Sequence, residues 1–241
     1  RPQRLAHDPP RALTVMIARI AALLSPDELV NVRQRLDGAA WADGRLTAGY
    51  QSAEVKSNLQ LPQGDPAARE AGEIVMRALE RSPLFASATL PLRVYPPLFN
   101  RYEPGMSFGA HIDNALRPVP GTPHRLRTDV SATVFLSPSQ DYDGGELRIE
   151  DTYGAHSVKL EAGDMIVYPA SSVHSVAPVT RGARIAAFCW IQSLVRDDGA
   201  RSLLFELDTA IRELAAKAAD RESLVRLTAC YHNLLRRWAE L

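Results

Sequence analysis

Cysteine is scarce, with only Cys189 and Cys230 in 241 residues. They have no metal-ligand spacing and give no disulfide framework, which excludes a stapled secreted scaffold and makes the reducing cytoplasm the expected compartment. Net charge is missing as well, because 28 basic residues balance 28 acidic ones. No global field draws such a chain to nucleic acid or to an anionic membrane, so neither is expected as a partner. Apolar runs are too short to span a bilayer, and Met16 to Leu24 lacks the length and cleavage pattern of a signal peptide. Internal repeats, low-complexity tracts and phosphate-cradling glycine loops are also lacking.

What remains is enough chain to bury a substantial core, with strand patterns through its middle. From Asp129 to Leu136, Val130, Ala132, Val134 and Leu136 alternate with the mixed set Ser131, Thr133 and Phe135, which reads as a strand. Asp143-Gly144-Gly145 is a turn entering another strand that runs to Ile149. His156 to Leu160, a turn at Glu161-Ala162-Gly163, and Asp164 to Pro169 read as a hairpin. Val173 to Val176 is short and extended, and Ala183 to Ser193 is a largely apolar strand carrying one arginine. Many short strands punctuated by turns favour a barrel or jelly roll.

Helices flank this region. Ser25-Pro26-Asp27-Glu28 has the capping-box signature, and its helix should end near Asp37-Gly38. Asp65-Pro66 starts a second, with Ile74, Val75, Ala78 and Leu79 at helical spacing and Ser82-Pro83 as its stop. Both are expected to brace the outer face of the sheet. From Arg201 to Leu241 only helical periodicity appears. The expected domains are therefore 16–198, catalytic, and 199–241, a helical tail that covers the barrel or makes a homo-oligomer contact. Residues 1–15, rich in Arg and Pro, are expected to be a disordered extension.

The chemistry concentrates in His111-Ile112-Asp113, joined by His174 and then Arg184. Alternate strand residues share a face about 6 to 7 Å apart, so His111 and Asp113 can converge on one ion while Ile112 turns away into packing. The tripeptide, following the Pro104-Gly105 turn, is read as a strand start. A remote histidine completes a two-histidine, one-carboxylate face that leaves coordination positions open and suits Fe(II), although Mn, Co, Ni or Zn would also bind. An arginine in a mostly apolar strand needs a buried anion, and a guanidinium holds a carboxylate bidentately. If the strand of Arg184 lies beside that of His174, its fork reaches the same barrel mouth. His7, His124, His156 and His232 lack partners at coordinating spacing.

On these residues the chain resembles the Fe(II)- and 2-oxoglutarate-dependent dioxygenases of the prolyl/lysyl hydroxylase type, and most closely the bacterial PKHD-type hydroxylases associated with iron uptake. The resemblance runs from Met16 onward and includes Val55 to Leu61, Arg101-Tyr102, Tyr142 to Leu147 and Trp190 to Ser193. It implies a mainly β fold, a double-stranded β-helix (jelly-roll) core with supporting helices. It also implies that His111, Asp113 and His174 are catalytic metal ligands, that Arg184 anchors 2-oxoglutarate, and that Tyr102 and Trp190 line the co-substrate pocket. Core packing alone would equally account for the two aromatics. The implied reaction consumes O2, turns 2-oxoglutarate into succinate and CO2, and hydroxylates an unactivated C–H bond, with L-ascorbate restoring Fe(II).

Two other readings share the triad: a cupin-like metal enzyme that does not use 2-oxoglutarate, and an iron or 2-oxoglutarate sensor. The substrate, small molecule or protein side chain, is not specified by sequence. Lys56 and Asn58 are candidate substrate contacts or solvated loop residues, and the basic, turn-rich segment 117–127 is a lid or an exposed connection.

Overall fold

The computed structural model describes residues 17–47, 50–151, 154–217 and 220–241. The 1–15 extension, with His7, lies outside the described residues.

Two antiparallel sheets face one another. The larger runs in the order Ala18–Ile20, Met165–Pro169, Val130–Phe135, Arg184–Ser193, Leu98–Tyr102, Leu59–Gln60, Ala42–Asp43, and Pro91–Val94 also pairs with Arg184–Ser193. The smaller runs Gly154–Val158, Leu147–Asp151, Val173–Val176, Ser107–His111, Lys56–Ser57. Tyr102, Phe135, Ile166 and Tyr168 from the larger sheet meet Leu147, Ile149 and Val176 from the smaller one in a single buried cluster. This is a jelly roll with flanking helices, the class expected from the strand patterns.

The alternation seen in the sequence sorts residues between two cores. Val130, Ala132 and Val134, with Ile185, Ala187, Cys189 and Ile191, join the helices in an outer core. The intervening Ser131, Thr133, Arg184, Phe188 and Trp190 line the cleft between the sheets. Every residue of Val130–Phe135 is buried, because both faces of this central strand are covered.

Helix Pro26–Asp37 starts at the expected capping box: Ser25 Oγ accepts from the Glu28 amide at 3.3 Å, and the Glu28 carboxylate accepts from the Ser25 amide at 2.9 Å. Helix Pro66–Glu80 is capped by Asp65, whose carboxylate accepts from the Ala67 amide at 2.7 Å. Their buried Val32, Leu36, Ala71, Val75, Ala78 and Leu79 pack on the larger sheet, each Val or Leu contributing roughly 1.5–3 kcal/mol. Ser82-Pro83 does more than stop a helix. Ser82 caps a further one, Pro83–Thr89, its hydroxyl accepting from the Phe85 amide at 3.2 Å.

Three other expectations are corrected. Gly154–Val158 and Met165–Pro169 are not a hairpin, since the first pairs within the smaller sheet and the second within the larger. The turn at Glu161 to Gly163 carries the chain across the barrel edge, with Gly163 at φ 94° and its amide bonded to the Phe135 carbonyl at 2.8 Å. His111 ends its strand rather than opening one, and Asp113 lies beyond it. Ile112 does not pack inside; it is 53% exposed at the mouth of the cleft.

The tail is helical, Asp198–Ala216 and Arg221–Trp238. Leu204 is buried against Leu90 and Val195, with Tyr231, Leu234, Leu235 and Trp238 packed around them. Arg201, almost wholly buried, donates to the carbonyls of Val195 at 2.6 Å and Arg196 at 2.7 Å, fixing the tail to the end of the long strand. Among the described residues no helix is long and apolar enough to cross a membrane.

Candidate metal centre and co-substrate cleft

His111 and His174 are register partners on neighbouring strands of the smaller sheet, so their side chains emerge side by side. Their rings lie 4.2 Å apart, and together with Asp113 they offer ligand atoms all within 4.8 Å of one another. Among the described residues this is the one such group of three or more His, Cys, Asp or Glu. His111 Nδ1 sits 2.8 Å from the Gly109 carbonyl and His174 Nδ1 3.0 Å from that of Ser172. A carbonyl only accepts, so in each neutral ring Nδ1 carries the proton and Nε2 keeps its lone pair for an ion. Burial, reinforced by the neighbouring His174, pushes His111 down to about 4, which keeps that lone pair free near neutrality. Phe108 stacks on the His111 ring at 3.6 Å, and Tyr168 meets His174 edge-on at 5.2 Å. The Tyr168 hydroxyl is raised well above its ordinary value by burial.

Asp113 is held from the other sheet. Ser131 Oγ donates to its Oδ2 at 2.5 Å. Ser131 was not singled out in the sequence, yet its signal was present in the polar residues on the second face of an otherwise apolar strand.

Arg184 does not lie beside His174, because its strand belongs to the larger sheet. The two sheets pack against each other, and Arg184 still lines the same cleft as His174. The arginine is 1% exposed, yet its Nε and Nη1 have no hydrogen-bond partner and no carboxylate among the described residues pairs with it. Two aromatic faces, Tyr102 at 5.4 Å and Phe135 at 5.3 Å, flank the guanidinium. Such a group is costly unless an anion completes it. Asn100 Oδ1 is a further buried, unpartnered polar atom of a residue lining the cleft. A donor set of two imidazole nitrogens and one carboxylate, with an orphaned guanidinium behind it, fits Fe(II) together with a dicarboxylate.

Tyr102 is register partner to Arg184, and burial raises its phenol while the guanidinium opposes the shift. Trp190 lies six residues along the strand from Arg184, beneath the Arg117 guanidinium at 3.8 Å. Lys56 and Asn58, candidates from the sequence, are both buried and line the cleft. The segment read as a turn-rich loop is a hairpin, Leu116–Pro118 paired with Arg125–Arg127, anchored by the buried Leu126.

A PKHD-type hydroxylase of Pseudomonas paraeruginosa is 58% identical over 226 residues, covering 94% of this chain and all of the relative. The chain belongs to the PKHD-type hydroxylases. Another member, from Burkholderia ambifaria, is 58% identical over 93% of the chain and all of its own length. The 2OG-Fe(II) oxygenase superfamily matches residues 97–192 of the hydroxylase, and the PKHD-type hydroxylase C-terminal domain matches 198–240. Solved structures share the fold. A prolyl hydroxylase from Trichoplax adhaerens, in complex with a hypoxia-inducible-factor peptide fragment, has a TM-score of 0.53 at 16% identity over 78% of this chain and 86% of its own. HygX from Streptomyces hygroscopicus, with nickel and 2-oxoglutarate bound, has a TM-score of 0.51 at 16% identity over 75% and 84%. The hydroxylase is thus an oxidoreductase, a 2-oxoglutarate-dependent dioxygenase with iron and 2-oxoglutarate as cofactor and co-substrate. Family membership sets aside the cupin-like and sensor readings.

Proposed function

We propose that His111, Asp113 and His174 hold the iron, that Arg184 grips the distal carboxylate of 2-oxoglutarate, and that the enzyme hydroxylates an unactivated C–H bond of a substrate entering past Ile112. The observation that carries this reading is Arg184, buried and unpartnered in the cleft that holds the three ligand side chains. When bound, iron and 2-oxoglutarate supply the oxidising power, with succinate and CO2 as by-products. The chain's own groups do the rest. Carbonyls of Gly109 and Ser172 fix the imidazole tautomers, and Ser131 orients the Asp113 carboxylate. Phe188, Leu147 and Val176 line the cleft with apolar surface that excludes water. Tyr102 presents a flat face to the Arg184 fork, and Trp190 closes the other end of the same wall. In this reading 16–198 carries catalysis and 199–241 buttresses it. The iron-uptake link and L-ascorbate support are supported by the family resemblance, and the cytoplasm by the unpaired Cys189 and Cys230.

Anaerobic titration with Fe(II) and then 2-oxoglutarate tests the assignment through the visible metal-to-ligand charge-transfer band. The wild type should develop it, Asp113→Ala should lose it, and Arg184→Ala should need far more 2-oxoglutarate. A metal-loaded wild type without the band, or an Arg184→Ala titration that matches it, overturns the assignment.

A further inference from the structure

Two parts of the fold have no task in the chemistry proposed above: the hairpin of Leu116–Pro118 and Arg125–Arg127, and the C-terminal helical tail. They meet at Arg127. The hairpin begins just after the metal-binding side chains, with Leu116 following Asp113 by three residues. Its outgoing strand carries Arg117, a residue of the cleft lining whose guanidinium lies 3.8 Å over the Trp190 ring. Val119 and Leu126 pack with Tyr95, Leu98 and Trp190. On the return, Thr128 ties the chain to the residues after Asp113: its amide donates to the Ala115 carbonyl at 3.0 Å and its hydroxyl to the Asn114 carbonyl at 2.7 Å. A force that holds Arg127 therefore acts both on the Trp190 wall of the cleft and on the backbone beside Asp113.

Three partners hold Arg127. Its Nε and Nη2 donate to the two oxygens of Asp129, at 2.6 and 3.0 Å, and Nη2 also donates to the Ser193 carbonyl at 3.3 Å. The third partner is 113 residues away in sequence, where Nη1 donates to Glu240 Oε2 at 3.1 Å. Glu240 is itself fixed, because its amide donates to the Leu194 carbonyl at 2.7 Å and the nearby Trp238 packs on the cluster of Leu90, Val195 and Leu204. Arg196 reaches the same carboxylate oxygen at 3.3 Å, but that pair is more than half exposed on the Arg196 side and contributes little. The Arg127 side chain is only 21% exposed and its fork is already oriented by Asp129, so a further carboxylate is gained at small cost in side-chain entropy.

We propose that Glu240 is a positioning residue for the cleft: through Arg127 the C-terminal helical domain clamps the hairpin onto the Trp190 wall and steadies the backbone that follows Asp113. The inference rests on the proposed function only for the role of Asp113 as a metal ligand.

Hydrogen–deuterium exchange of the full-length, metal-free protein, followed by Mn(II) titration read by EPR, tests it. Glu240→Gln keeps the shape of the side chain and removes its charge. Amides of 116–128 should exchange at least about three-fold faster in this variant, while those of 198–216 and 221–238 keep their wild-type rates. Mn(II) should bind about three-fold more weakly. Arg196→Gln, which removes the other cation from the same carboxylate, should leave the hairpin at its wild-type rate. A hairpin that exchanges at the wild-type rate in Glu240→Gln overturns the inference, as does acceleration spread equally through both tail helices, which marks general loosening. Faster hairpin exchange with unchanged Mn(II) affinity overturns the step to Asp113. Wild-type protein that binds no Mn(II) signals failure of the ligand assignment, and the exchange rates then decide the clamp alone.

Discussion

Ser131 and Asp113 join the two sheets at the candidate metal site through a 2.5 Å hydrogen bond from hydroxyl to carboxylate. Asp113 lies past the end of its strand, where backbone pairing no longer holds it, so this hydroxyl selects the carboxylate orientation. Ser131→Ala should therefore weaken Mn(II) or Fe(II) binding by about ten-fold with little change in fold. Metal titration followed by EPR decides the point, and unchanged affinity would show that Asp113 is positioned by other contacts.

Removing Arg184 should have opposite effects with and without co-substrate. Its unpartnered Nε and Nη1 are a cost to the free protein, so Arg184→Met should leave stability unchanged or raise it by about 1 kcal/mol. Added 2-oxoglutarate should raise the wild-type urea midpoint but not that of the variant. A strongly destabilised variant would mean that the guanidinium already has a structural partner.

Lys56 makes stability depend on alkaline pH. Burial first, then the charge of Arg117, pushes its ammonium down to about 8, with Asp43 and Asp113 opposing the shift. An unfolded lysine titrates near 10.4, so between these values the unfolded chain binds the extra proton and native stability rises with pH. Urea unfolding of metal-free wild type relative to Lys56→Met should show the wild type gaining on the order of 1 kcal/mol per pH unit across that window. A flat difference would place the ammonium in solvent.

Gly144 adopts φ 73°, and a Cβ there would overlap the Pro178 carbonyl oxygen. Gly144→Ala should cost more than about 2 kcal/mol, through the left-handed backbone and the displaced strand Val179–Arg181. Gly38→Ala, where nothing lies within 4 Å, is the control and should stay within about 0.5 kcal/mol. Equal effects at the two positions would remove the steric argument.

Much of the site was legible because its information is local. The His-x-Asp tripeptide, His174 and the lone arginine of an apolar strand stand out by residue type alone, and the fold brings all of them to one cleft. Capping at Ser25 and Asp65 is likewise set within one helical turn. Ile112 was misread because alternation was carried past the point where the strand ends. Ser82-Pro83 stops its helix as expected, but the helix that follows was missed, because a proline that stops one helix also begins the next.

By itself, then, the sequence determined which class of chemistry this protein carries, and where most of its strands and helices fall. Tertiary structure decided the partners. It sent Gly154–Val158 and Met165–Pro169 to different sheets, put Arg184 and His174 on different sheets around one cleft, brought Ser131 to Asp113 and laid Arg117 on Trp190. A two-residue alternation encodes which side of a strand is apolar but not which strand lies beside it. That choice is made by the burial of both sheet faces at once, a property of the assembled barrel.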